Sequence, residues 1–171
     1  FVAKPVSKVQ QSLSRLTSFT EDMARRGLTT KAEWLDRGLF HPSPDEMMML
    51  GLPADALVAR LGRLRVADDM PLAIERACIS SEFLPDPMQV QGSLYAALEK
   101  HGCRPVRAVQ RISAYNMKDP DAAMLGVPAG AAGLSIERVS YLRTGRVVEF
   151  TRSIYRGDAY DFVAELTLSE T

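Results

Sequence analysis

Two heptapeptides constrain the fold of this chain more than any other feature. LGLPADA (Leu50 to Ala56) and LGVPAGA (Leu125 to Ala131) recur at an offset of 75 residues, and the same offset aligns Leu61 with Ile136 and Arg63 with Arg138. Each copy reads as helix, LG-x-PA turn, strand, tight turn, strand. A pattern repeated at fixed spacing implies one supersecondary unit used twice, so an internally duplicated domain is expected. The competing reading is that LG-x-PA is only a common way to leave a helix. Hairpins interleaved with short helices favour an α+β fold, an antiparallel β-sheet with flanking short helices, over a doubly wound parallel sheet.

Local signals place the elements. Ser18 and Glu21 have capping-box spacing and Gly27 closes the segment, predicting a helix over about Phe19 to Arg26. A strand is expected over residues 30 to 40 around Trp34. Ser43, Pro44, Glu46 and Gly51 bracket a second helix whose Met47, Met48 and Met49 are read as core. Runs from Leu57 to Ala67 and from Leu72 to Ile79 flank Asp68, Asp69, Met70 and Pro71 and read as a hairpin. Ser93 and Gly102 bracket a third helix, followed by a strand over about Arg104 to Tyr115. A short helix from Pro120, a hairpin over Leu134 to Tyr155 turning at Thr144 and Gly145, and a last strand over Phe162 to Leu168 complete the set. Pro5, Ser7, Gln10, Gln11 and Ser12 mark the first dozen residues as a linker or trailing end.

Composition narrows the function classes. The chain has 171 residues, 46% of them hydrophobic, enough for a sizeable core. Its 21 basic and 21 acidic side chains cancel, which argues against a nucleic-acid-binding surface on this segment. No stretch reaches the roughly 20 apolar residues of a membrane-spanning helix, and FVAKPVSKVQ lacks the apolar core of a signal peptide. Cys78 and Cys103 are too few for a disulfide scaffold and read as reduced, buried thiols of a cytoplasmic protein. With only His41 and His101, both in turn-like sequence, no zinc-ligand spacing exists, and neither metal nor cofactor is expected. Nucleophile-elbow, P-loop and dinucleotide-binding motifs are missing, so the chain does not read as an enzyme.

What chemistry remains is anion recognition. Period-two alternation sets Leu57, Ala59, Leu61, Arg63 and Arg65 on one face of a strand, a stripe that begins apolar and ends with two guanidiniums suited to a phosphate or carboxylate. A solvated pair of arginines bridged to surface acids fits the pattern equally. Glu75 lies on the neighbouring strand. Glu149, Thr151, Ser153 and Tyr155 share a face that either lines a cleft or forms the wet side of the sheet. Glu75 and Glu149 could form a carboxylate pair. Arg152 falls on the opposite face with Phe150 and Ile154 and is expected in a packed ion pair. The helix starts at Ser18 and Ser93 offer exposed amides, which ordinary capping also explains.

TSFTEDMARRG, LG-x-PA, RLRVADDMPLAIE, GSLYAALEKHG, LGVPAGA, ERVSYLRTGRVVEF and SIYRGDAYDF, in that order, resemble the UTRA effector-binding domain of HutC-subfamily GntR transcription regulators. The likeness spans about residues 15 to 165, and FVAKP resembles the last strand of the winged helix-turn-helix module that precedes this domain. Residues 1–14 are then linker and the end of that module, and 15–171 the effector domain. The resemblance implies a chorismate-lyase-like fold, a homodimer, and DNA binding only through the N-terminal module. It also implies a small-molecule anionic effector, a phosphorylated compound such as an amino-sugar or sugar phosphate. Its phosphate would be held by Arg63 and Arg65, by Ser93 and Tyr95, and by the Phe19 amide and Thr20. Glu75, Glu149 and Tyr155 match the positions that recognise hydroxyls or an amide. Rival expectations are a sensor of a phosphonate, organic acid or amino-acid catabolite and, from the fold relationship alone, a lyase acting on a carboxylated ring.

Overall fold

The computed structural model describes residues 9–12 and 16–168. A short strand β1 (Val9–Ser12) leads to α1 (Phe19–Arg25), where the Ser18 hydroxyl accepts the Glu21 amide and the Glu21 carboxylate accepts the Ser18 amide. Then come β2 (Thr30–Phe40) and α2 (Pro44–Leu50), the latter capped the same way by Ser43 and Glu46 and ended by Gly51 at φ 65°. A residue with left-handed φ is where glycine carries no steric penalty, hence LG at the helix end. The hairpin β3 (Val58–Ala67) and β4 (Met70–Ser80) turns on Asp68 and Asp69, both at positive φ.

The second half repeats the first. It consists of α3 (Leu94–Lys100), β5 (Arg107–Asn116), α4 (Asp119–Leu125), β6 (Ala132–Tyr141) and β7 (Val147–Arg156), followed by β8 (Tyr160–Val163). Both bounds of α1 and α3, and of α2 and α4, differ by 75. The duplicated unit is therefore helix, strand, helix, hairpin, one helix and one strand longer than the LG-x-PA repeat indicates. The main sheet runs β2-β3-β4-β7-β6-β5, all antiparallel, which puts an approximate twofold axis between β4 and β7, near the Arg76–Arg152 pair.

Both faces of this sheet are covered. On the outer face, Leu50 of α2 packs with Val58, Cys78 and Phe150, and Ala122 and Leu125 of α4 pack with Leu64, Val66 and Ile74. On the inner face, Tyr95 and Leu98 of α3 pack with Leu61, Ala77 and Ile79, and Phe19 and Met23 of α1 with Ala73, Ile136 and Tyr155. The helices also exchange partners, α2 lying on β7 and α4 on β4. Each unit thus covers the hairpin of the other, and neither could bury its apolar faces alone.

Several expectations are corrected. Residues 9–12 are a strand, paired in parallel with β8, while FVAKP lies outside the described residues. The last strand begins at Tyr160 and ends at Val163, because Tyr160 belongs to the inner core whereas Leu166 and Leu168 are exposed. Met48 is exposed, on the solvent side of α2, and only its neighbour Met49 packs against the core. Cys78 is buried, but Cys103, in the turn after α3, is only half-buried. Arg152 pairs with Asp45 and Glu137 over the Phe150 ring, as an exposed rather than a packed ion pair.

Candidate functional site

The cross-strand register assembles the site on the inner face. Arg63 of β3 is opposite Glu75 of β4, which is opposite Ser153 of β7, which is opposite Ile136 of β6. One row along lie Arg65, Ala73, Tyr155 and Leu134; one row the other way lie Leu61, Ala77, Thr151 and Arg138. Period-two alternation therefore brings Arg63, Arg65, Glu75, Glu149, Thr151, Ser153 and Tyr155 to one surface and leaves Arg152 on the other. That surface is dry. Arg63 and Arg65 are each 3% exposed, and Glu149, Thr151, Ser153 and Tyr155 are buried as well. Neither the solvated arginine pair nor the wet sheet face survives, because α1 and α3 lie over them, and a covering helix leaves no trace in the strand's own alternation.

Each arginine meets the site differently. Arg63 donates to the Gly92 carbonyl at 2.7 Å and to the Glu75 carboxylate, so its charge is matched by an acid. Arg65 donates to Thr20 Oγ1 at 2.6 Å and stacks on the Phe19 ring, 4.7 Å from its centroid. Among the described residues no carboxylate pairs with it, and its Nε and Nη1 have no hydrogen-bond partner. Burial, reinforced by the neighbouring Arg63, pulls the Arg65 guanidinium down to about 10, against the attraction of Glu75. Burial would raise the Glu75 carboxyl, but Arg63, Arg65 and Arg138 override it and hold it at about 2. Burial and the Glu75 charge push the Tyr155 phenol up.

Glu149 sits in a separate hydroxyl cluster, accepting from Tyr95 at 3.0 Å, Ser140 at 2.8 Å and Thr151 at 2.6 Å. Glu75 and Glu149 are thus not a carboxylate pair; each is held by its own donors. The two helix caps meet, with Ser18 Oγ and Ser93 Oγ 3.3 Å apart. Sequence reasoning missed Arg138 and Gln110. Arg138 donates through Nε and Nη2 to Gln110 Oε1, and through Nη1 to the Thr17 carbonyl and the Tyr95 hydroxyl. The signal was present in the offset that aligns Arg138 with Arg63. Glu75, Gln110, Arg138, Glu149 and Phe19 are among the side chains enclosing a cavity of about 30 Å³, room for one water molecule.

Comparison with known proteins identifies the assembly. The sequence profile of the UTRA domain matches residues 25–161. The chain belongs to the UTRA family. It is similar to the HTH-type transcriptional repressor NagR of Bacillus subtilis, with 36% identity over 166 residues, 95% of this chain and 68% of that protein. Against the HTH-type transcriptional repressor PhnF of Mycolicibacterium smegmatis it has 29% identity over 95% of this chain and 67% of that protein. The crystal structure of the effector domain of PhnF superposes with a TM-score of 0.87 and 26% identity, over 94% of this chain and all of that one. A GntR-family transcriptional regulator from Enterococcus faecalis gives a TM-score of 0.74 at 29% identity, over 80% of this chain. This UTRA domain is the effector-binding domain of a GntR-family transcription regulator, whose DNA binding resides in a separate domain. Among the described residues no helix is long and apolar enough to cross a membrane.

Proposed function

We propose that the domain senses a phosphorylated small molecule, an amino-sugar or sugar phosphate, and that Arg63 and Arg65 hold its phosphate. The observation that carries this reading is Arg65, a buried cation with two guanidinium nitrogens unmet and no acid of its own among the described residues. An unpaired buried charge is among the costliest features a fold can retain, and an incoming anion removes that penalty. Ser93, Tyr95, Thr20 and the Phe19 amide are assigned to the phosphate with the two arginines, Thr20 already accepting from Arg65 and Ser93 touching the cap of α1. Glu75, Glu149 and Tyr155 stand beyond the phosphate as partners for hydroxyl or amide groups. The rival anions, phosphonate and carboxylate, suit the arginines too, and the test below separates them.

A cavity of about 30 Å³ is far smaller than the roughly 300–1,000 Å³ of ligand pockets, so entry of the effector must move what covers it. The cover is the start of α1, tied down by Arg65 to Thr20, Arg138 to Thr17, Ser93 to Ser18 and Arg104 to Glu21. Effector binding and the position of α1 are thereby linked, and so is the placement of whatever the chain carries before it, residues 1–14 serving as the connection to a DNA-binding module. The regulator acts in the cytoplasm as a homodimer. Titration calorimetry with sugar phosphates, free sugars, a phosphonate, a dicarboxylate and inorganic phosphate tests the assignment. Sugar phosphates should bind best, and Arg65→Ala should weaken the best of them by about 2–5 kcal/mol. Undiminished binding to Arg65→Ala would sink it.

A further inference from the structure

The approximate twofold axis passes through the site, and its two sides are not equally explained. Arg63 donates to the Gly92 carbonyl just before α3, and Arg138, its counterpart 75 residues on, donates to the Thr17 carbonyl just before α1, again 75 residues apart. The duplicated unit has therefore set two equivalent arginines on one face of the sheet, of which Arg138 lines the cavity itself and Arg63 reaches it through Glu75. They lie three strands apart, about 14 Å across the sheet at the usual strand spacing, and one side-chain row apart along it. Their local chemistry has diverged. Arg63 faces a carboxylate, Glu75, whereas the fork of Arg138 is filled by a carboxamide oxygen, Gln110 Oε1, at 2.9 Å from Nε and 2.8 Å from Nη2. Gln110 belongs to β5, an edge strand of the sheet, and is only half-buried.

We propose that Arg138 is a specificity-determining residue of the effector site and that Gln110 is its placeholder. The fork of Arg138 takes a carbonyl or carboxylate oxygen on the end of the effector remote from the phosphate, and the Gln110 amide occupies that fork when the site is empty. The chemistry supports an exchange of like for like: one sp² oxygen leaves a two-donor fork and another enters it, so no buried donor is stranded. The neighbouring hydroxyl cluster around Glu149 holds Tyr95 against the same guanidinium, which fixes the direction of the fork. The attraction of Tyr95, Glu149 and Tyr155 outweighs burial and keeps Arg138 firmly protonated. This inference rests on the phosphate-sensing reading above and adds to it the class of effector: a phosphate ester bearing an acyl or carboxylate oxygen.

Calorimetry on a matched panel separates the two. The probes are glucose 6-phosphate, glucosamine 6-phosphate, N-acetylglucosamine 6-phosphate and 6-phosphogluconate, with inorganic phosphate as the reference. At least one of the two oxygen-bearing probes should bind tenfold or more tightly than the two that lack that oxygen. Arg138→Lys, which keeps the charge and removes the fork, should collapse that ratio to near one, the preferred probe losing far more affinity than glucose 6-phosphate. Gln110→Ala, on the edge strand, should bind the preferred probe several-fold more tightly, because its competitor is gone. Equal binding of all four sugar phosphates by the wild type overturns the inference and leaves phosphate sensing standing. So does an Arg138→Lys variant that loses affinity for every probe in the same proportion, which is the signature of a purely structural arginine, or a Gln110→Ala variant that binds more weakly. Failure of every phosphate ester to bind overturns the phosphate-sensing reading itself.

Discussion

Arg65 and Glu75 lie on neighbouring strands of one face and are stabilised very differently. Arg65 is held in a place that disfavours its charge, so replacing it with an apolar side chain of similar length should strengthen the empty fold. Arg65→Met is expected to raise the unfolding free energy of the ligand-free domain by about 1–4 kcal/mol in urea denaturation while abolishing effector binding. A less stable variant would show that Arg65 is structurally satisfied. Glu75 works in the other direction. Its folded-state pKa of about 2 lies below the ordinary value of 4.5 for an exposed glutamate, so its contribution is fully present above about pH 4.5 and fades as the pH falls toward 2. That contribution is about 3 kcal/mol, and urea melts between pH 2 and 5 should show it disappear; Glu75→Gln should be less stable at pH 7 and flatter across that window.

The caps of α1 and α3 show how elements are coupled across the duplicated unit. Ser18 caps α1, Ser93 caps α3, and their hydroxyls touch at 3.3 Å, so each serine has a local and a cross-unit role. Each single change to alanine should cost about 1 kcal/mol through the lost cap. The double variant should cost less than the sum, by the worth of the one contact both singles remove, about 0.5–1 kcal/mol. Strict additivity would mean the hydroxyls do not interact. The helix signals themselves were legible from Ser18, Glu21, Ser43 and Glu46, because capping is chemistry between residues three apart. Strand ends were less so: β5 starts at Arg107 rather than Arg104, since its first residue is set by pairing with Tyr141 of β6, a partner far away in sequence.

For the whole domain, an effector that binds only the folded state raises apparent stability by mass action. At a concentration one hundred times Kd the gain is about 2.7 kcal/mol, which for a domain of this size corresponds to a rise in Tm of about 5–10 °C. Scanning calorimetry of the wild type with and without the best sugar phosphate should show it, and Arg65→Met should show none. Because the cavity must enlarge to admit a ring, part of the intrinsic binding energy is spent on releasing α1, and affinities should be weaker than those of a preformed pocket.

The repeat of LG-x-PA, the alternation that puts Arg63 and Arg65 on one face, and the order of motifs that marks a UTRA domain were all readable in the chain, because each rests on residues close in sequence or on a pattern repeated in it. Tertiary structure alone decided that the face is buried, that Glu75 neutralises Arg63 and not Arg65, and that Gln110 fills the fork of Arg138. Those outcomes depend on which helix lies over which strand and on how a register of strands from both units lines up across the sheet, and neither is encoded in any local stretch of residues.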